Sequence, residues 1–554
     1  MKPIFMKRTI GIIAPLIDTH QYHVDFNLRL SVNNRELTLA ALYEFASKGF
    51  KTESVSRGID HEEDIPAAGF YLEGLLHQHG YDVILTNKYG AETLKALAKK
   101  DPFAVCVSTT MIVTTDSLLE LFSSIRSAMP DTVIIAGGVF LWKNYLLYLN
   151  HLGSPQEYPL QSPMFFHPDH SGMDADILVV SPHGKSALLE VLASLEKGRN
   201  TSFEHIPNLA LPFGKDFIFT KREEEVVDYN TDYTRWDMIN EIPTKIPIRT
   251  SIGCPYRCRF CDFCQLFPNI FLRSKKSLSQ ELKLVKERLQ QNPAIVHVSD
   301  DNVFINKKRL EDVCTAISES GMRKWIGFMR AKEYTDKEMA LLEQSGLMMG
   351  IIGVESGDPG QLKRMNKHQK IENVKRGVEQ LDAHGISALM TFVVGFPGEN
   401  QQTLSNTANF LNSLSLSNLL SNYQLYPLNI QPLSELASLS IRKTWKLEGS
   451  MDKWSHYTMN SEDTIRASYE LFRKVSAVPY HYSEESNFFN RAKFTFSTRK
   501  ALFQLRQQLT VNLIENAPWE HIESILRSMA QYMGISAESI GKSLKDKISV
   551  HSIQ

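Results

Sequence analysis

Short apolar runs recur along the chain, separated by stretches whose apolar residues return every three or four positions. In the first part the runs are Thr9–Ile17, Tyr81–Leu85, Ala104–Val107, Val133–Ala136 and Asp176–Val180. They are short and mostly rich in Val and Ile, as strands buried on both faces require. Pro66–His79, Thr93–Lys99, Ser117–Met129 and Lys185–Leu195 carry helical spacing between them. This alternation predicts a doubly wound parallel sheet over residues 1–200. Residues 201–245 are polar and broken by Pro and Gly, with strand-like pieces at Leu209–Phe213 and Phe217–Thr220. They read as a linker holding a small hairpin. From 246 the alternation resumes, with strands expected at Ile246–Ile252, Ala294–Val298, Trp325–Arg330, Met348–Val354, Ala388–Gly395 and Leu419–Leu428. Six such units over 246–435 predict a partial barrel of parallel strands, with function at the loops following the strands. Residues 436–554 change character. Ser461–Val475, Thr498–Leu513 and Trp519–Tyr532 are helical in period, and Gly534–Leu544 reads as a capped last helix. The fold class is α/β, closed by a mostly helical cap.

Composition narrows the class. The chain has 554 residues, 43% hydrophobic and 22% charged, with 61 basic against 62 acidic side chains. A net charge of −1 gives no global field for nucleic acid. No run approaches the roughly 18–20 apolar residues that span a bilayer. The expected location is cytoplasmic. Four of the six cysteines lie in one loop, which is metal usage in a reducing compartment and not a disulfide framework.

That loop is Ser251–Cys264, Ser-Ile-Gly-Cys-Pro-Tyr-Arg-Cys-Arg-Phe-Cys-Asp-Phe-Cys. Cys254, Cys258 and Cys261 have the spacing C-x3-C-x2-C, with Phe260 before the third. Three thiolates on one loop after a strand can hold three irons of a cubane and leave the fourth iron open. A zinc knuckle competes, but asks for a second ligand pair. Cys264 offers itself as a fourth thiolate in a cramped position. Cys106 and Cys314 fall inside a predicted strand and a predicted helix and read as inert. Polar residues gather at the strand ends of the second unit: Asp300 and Asp301, Arg330, Glu355 and Ser356, and Val394-Gly395 before Phe-Pro-Gly-Glu399. In the first unit three loops end on the same side of the sheet: Ser108-Thr109-Thr110, Gly137-Gly138, and Ser181-Pro-His-Gly-Lys-Ser186. Ligands of open α/β sheets bind at such strand ends.

The cysteine loop resembles the signature of the radical S-adenosylmethionine (SAM) superfamily. That resemblance implies a [4Fe–4S] cluster on Cys254, Cys258 and Cys261, with SAM chelating the open iron and breaking into methionine and a 5′-deoxyadenosyl radical. It places Asp300, Asp301, Arg330, Glu355, Ser356, Val394 and Gly395 around SAM. Met365-Asn366-Lys367 and Gly353-Val-Glu-Ser-Gly357 are similar to the cobalamin-linked branch. There, a Rossmann-like domain ahead of the barrel binds cobalamin through loops like Ser108–Thr110 and Gly137–Gly138. Two departures stand out. The Asp-x-His-x-x-Gly motif is absent, Asp18-Thr-His20 being followed by Gln-Tyr-His, and Ser181–Gly184 replaces an acidic stretch. The resemblance implies a cobalamin-dependent C-methyltransferase acting on a small molecule or peptide, served by an electron donor such as flavodoxin or ferredoxin. A non-methylating radical rearrangement or cyclisation is the alternative within the class, and a non-catalytic iron–sulfur protein the alternative outside it.

Overall fold

The architecture is taken from a computed structural model, which describes residues 8–15, 28, 30–32, 35–36, 65–155, 164–170, 173–198, 202–214, 216–482, 494–535, 544–545 and 548–550. Asp18–His20 and most of Gly534–Leu544 lie outside the described residues.

The first sheet has seven strands: β1 (Thr9–Ile13), β2 (Asp82–Thr86), β3 (Ala104–Ser108), β4 (Val133–Gly137), β5 (Ile177–Val179), β6 (Leu209–Phe213) and β7 (Asp216–Phe219). Their order is β2-β1-β3-β4-β5-β6-β7. The first five are parallel, while β6 and β7 form an antiparallel hairpin added at the β5 edge. The hairpin read from the sequence is therefore present and lengthens the sheet. Period-two alternation divides the strands between two cores. Ile10, Ile12, Ala104, Cys106 and Ile135 face helices Ala67–Gln78 and Lys185–Lys197. Ile13, Val105, Val107, Ile134 and Ala136 face helices Thr115–Ala128 and Val139–Gly153. Cys106 is thus a core side chain, its thiol pushed up to about 12 by burial. Helix Val139–Gly153 was missed in the sequence because it is apolar on nearly every face and carries no amphipathic period.

The second sheet runs β8 (Lys245–Ile248), β9 (Ile295–Val298), β10 (Trp325–Met329), β11 (Leu347–Glu355), β12 (Ser387–Val394) and β13 (Asn422–Pro427), parallel and in chain order. This is the six-unit partial barrel. β13 is shorter than the expected Leu419–Leu428 because Leu419 adopts φ +51, a left-handed turn no strand can include. Helix Ser461–Lys474 and Val478–Tyr482 pack into the barrel core, Tyr480 bridging to Tyr423 beside β13. Helices Phe496–Ile514 and Trp519–Tyr532 form a separate core with Leu30. Leu30–Val32 pairs with Ile548–Val550, joining the two ends of the chain.

Candidate active site

The loop from Ser251 to Cys264 is fixed at its root by a buried network. Asp300, 2% exposed, follows β9 and accepts hydrogen bonds from Thr250 N–H (2.6 Å), Ser251 N–H (3.0 Å), Ser251 Oγ (2.7 Å) and Thr250 Oγ1. Buried Arg309 donates to the carbonyls of Arg273 (2.7 Å) and Thr250. Arg273 in turn bonds Arg249 O (2.7 Å) and pairs with Glu281 at 2.5 Å. Gly253 then turns the chain with φ +84. A Cβ there would lie 2.6 Å from Asn269 O, so only glycine fits.

Farther along, Met365-Asn366-Lys367 grips the loop. Arg259 N–H donates to Met365 O (3.0 Å), and Asn366 Nδ2 to Arg257 O (2.7 Å). Arg259 also bonds Arg364 O (2.8 Å) and pairs with Glu435 at 2.9 Å. Arg330 stacks 3.9 Å over the Tyr256 ring and donates to Lys367 O. Lys367 Nζ lies 2.6 Å from Glu355 Oε1, both side chains 9% exposed. Glu355 sits at φ +67 next to a shift in the β11–β12 register. The bulge re-aims its side chain, and the Lys367 pair holds a conformation that costs on the order of 1–3 kcal/mol.

Cys254, Cys258 and Cys261 are partly buried free thiols on this loop. Burial pushes all three up, Cys261 to about 12, while Lys367 and Arg330 pull Cys258 down. Among the described residues no three His, Cys, Asp or Glu side chains converge tightly enough for a single ion. A four-iron cubane takes its thiolates on separate irons and so calls for a wider set. Three free thiols on one loop beside two cations fit that group. Cys258, Cys261 and Cys264 also line a separate 460 Å³ cavity with Arg257 and Glu435.

The remaining predicted residues divide by environment. Ser108, Thr110, Gly137 and Gly138 line a 660 Å³ cavity, mostly apolar, which also reaches Arg249, His297 and Phe328 on the barrel side. Thr109 is fully buried beneath it, its N–H and Oγ1 both donating to Gly137 O (2.8 and 3.1 Å). Gly138 has φ +124, and a Cβ would meet Thr109 N and Thr110 N at 3.1 Å. His183, in the third loop, lies within 3.0 Å of Tyr229 Oη and is pushed down by burial. Asp301 is exposed beside Asp300. Ser356 is buried, its Oγ accepting from Asp358 N–H (3.1 Å), and Val394 is core. Gly395 N–H donates to Glu399 (2.5 Å), and its carbonyl accepts from His456 Nε2 (2.8 Å). Sequence reasoning missed the supporting roles of Lys367, Arg309 and His456. Each acts on another chain segment, and only the motif around Lys367 carried a signal.

A parallel barrel with a three-thiol loop after its first strand follows a doubly wound sheet. Residues 248–411 match the Radical SAM superfamily, so the chain carries a radical SAM domain. Such a domain works with a [4Fe–4S] cluster and SAM. The chain is 23% identical over 62% of its length to an anaerobic magnesium-protoporphyrin IX monomethyl ester cyclase of Rubrivivax gelatinosus. It is 28% identical over 30% of its length to the bacteriochlorophyllide d C-12(1)-methyltransferase of Chlorobaculum tepidum. These alignments span 61% and 37% of the two relatives, less than two thirds of either. Among solved structures, the cobalamin-dependent SAM radical enzyme OxsB with aqua-cobalamin bound superposes with a TM-score of 0.55. At 13% identity, with 96% of this chain and 80% of that one covered, it shows a shared fold. No described helix is long and apolar enough to cross a membrane.

Proposed function

We propose that the chain is a cobalamin-dependent radical SAM enzyme that methylates an unactivated carbon of a substrate with a substantial apolar surface. The observation that carries this reading is the 660 Å³ cavity, walled on one side by Ser108, Thr110 and Gly138 and on the other by Arg249, His297 and Phe328 of the barrel. The cavity touches both α/β units, so a ligand held at the first sheet would face the barrel strands. Methylcobalamin bound at the first sheet would supply the methyl group, and SAM at the cluster the hydrogen-abstracting radical.

The chain's own residues do the positioning. Cys254, Cys258 and Cys261 serve as cluster ligands. Asp300 holds the root of their loop, and Arg330 and Lys367 place positive charge against the thiolates. Gly138 lets backbone approach the ligand at the first sheet, and Thr109 braces that loop from below. Glu355, Asp301 and Gly395 stand at the strand ends where SAM is assigned. Exposed Phe328 presents an apolar face to the substrate and helps exclude water. The cyclase and methyltransferase relatives have magnesium-protoporphyrin IX monomethyl ester and bacteriochlorophyllide d in their names, bodies that such walls would suit. The test is anaerobic reconstitution with iron and sulfide, followed by SAM and a low-potential one-electron reductant such as dithionite. Formation of 5′-deoxyadenosine that disappears in Cys258→Ala is expected. A fully loaded cluster with no SAM turnover would reject the enzymatic reading.

A further inference from the structure

We infer that Lys143 is a positioning residue for the cysteine loop, neutralising Asp262 and thereby setting how readily a cluster held there accepts an electron. The inference rests on Cys254, Cys258 and Cys261 being the cluster ligands. Lys143 lies on helix Val139–Gly153, which begins directly after Gly138. Its Nζ is 2.8 Å from Asp262 Oδ2, with the two side chains 18% and 12% exposed. Asp262 is the residue after Cys261, and no other cation among the described residues pairs with it. Lys143 also donates to Gln431 Oε1, beyond the last barrel strand, and Gln431 Nε2 is fixed by Asn429 Oδ1 at 2.6 Å. The preceding side chain, Trp142, donates from Nε1 to Leu266 O (3.2 Å), at the end of the short helix Phe263–Leu266. Two consecutive side chains of a first-sheet helix therefore grip the segment from Asp262 to Leu266. The same helix starts at the loop assigned to cobalamin, so one rigid element spans both cofactor sites.

The charge logic is directional. With the pair intact, Asp262 adds no net charge beside the cluster. Removing Lys143 leaves a carboxylate there, which opposes a further electron. Removing Asp262 leaves an ammonium, which favours it. Screened at an effective dielectric near 20, one unpaired charge within about 12 Å changes the reduced-to-oxidised ratio about tenfold or more.

The experiment uses the full chain reconstituted anaerobically as wild type, Lys143→Met, Asp262→Asn and the double variant. Iron and sulfide are counted, and the cluster is titrated by electron paramagnetic resonance without substrate. The expected pattern is a Lys143→Met midpoint shifted negative by about 59 mV, the tenfold equivalent for a one-electron couple. Asp262→Asn shifts positive, and the double variant returns near wild type. Shifts of the same sign in both single variants, or none, overturn the inference and leave the ligand assignment standing. Iron lost in Lys143→Met and restored in the double variant supports charge neutralisation. Iron lost in both reduces Lys143 to packing and overturns it. A wild-type chain that binds no iron rejects the ligand assignment, and with it this inference.

Discussion

Asp300→Ala removes the acceptor on which the cysteine loop is hung. The wild-type carboxylate takes four hydrogen bonds from Thr250 and Ser251, two of them from backbone N–H groups that no longer have a partner in the variant. It also lies close enough to support the charge of buried Arg309, which burial otherwise disfavours. Each stranded donor costs about 1–3 kcal/mol, and leaving a buried charge uncompensated costs about 3–5 kcal/mol. These penalties overlap, because water and rearrangement relieve some together, so a loss of about 3–5 kcal/mol is expected against a whole-domain stability of roughly 5–15 kcal/mol. Urea unfolding of the cluster-free chain, followed by tryptophan fluorescence, measures it. Trp236 and Trp325 both lie in the barrel core and report on that unit. Asp300→Asn keeps one acceptor and should lose roughly half as much. The reasoning is refuted if Asp300→Ala unfolds within about 0.5 kcal/mol of wild type. It is refuted more specifically if Asp300→Asn keeps full stability and cluster iron yet loses SAM affinity, because the carboxylate would then be reaching SAM.

Alanine at Cys254, Cys258 or Cys261 should abolish the four-iron cluster, read as iron and sulfide per chain, whereas Cys264→Ala should retain it; iron lost from the latter would show a different ligand set. Lys367→Met removes the cation 2.6 Å from the Glu355 carboxylate, which has no other ion-pair partner among the described residues, and should cost about 3–5 kcal/mol in urea unfolding, a change under 1 kcal/mol arguing against the clamp. Glu399 is buried, with Asp358 raising and Arg364 lowering its affinity for protons, and burial carries it to about 8. Its folded value lies above its unfolded value near 4.5, so the folded chain binds the extra proton between the two. Stability should therefore fall as pH rises from about 5 to 8 and level off above, and Glu399→Gln should flatten that slope; an unchanged slope contradicts the assignment.

Much of the architecture was legible because it rests on periodicity. The runs Ala104–Val107 and Val133–Ala136 can be little but buried parallel strands, and at Gly138 (φ +124) a Cβ would meet the backbone of Thr109 and Thr110. The cysteine loop stood out by its spacing, and Cys254, Cys258 and Cys261 are free, partly buried thiols there. What lay beyond reach depends on contacts between distant segments. Asp300 was placed at SAM by its position after a strand, but its oxygens turn back to Thr250 and Ser251, an orientation no linear pattern encodes. Ser356 was chosen on the same ground and is buried against Thr407. Lys143 was invisible because it sits in an apolar helix that gave no amphipathic signal and its partner Asp262 is 119 residues away. The stretch 201–245 read as a linker because its strands are short and polar-flanked, yet pairing with β5 makes them part of the sheet.

The most direct measurement is the ultraviolet–visible spectrum and cofactor content of the full chain purified anaerobically from cells supplied with cobalamin. Stoichiometric corrinoid beside four irons per chain is the predicted result. A four-iron cluster without corrinoid would contradict the two-cofactor reading, leaving the first sheet as a scaffold and the cavity to the substrate alone.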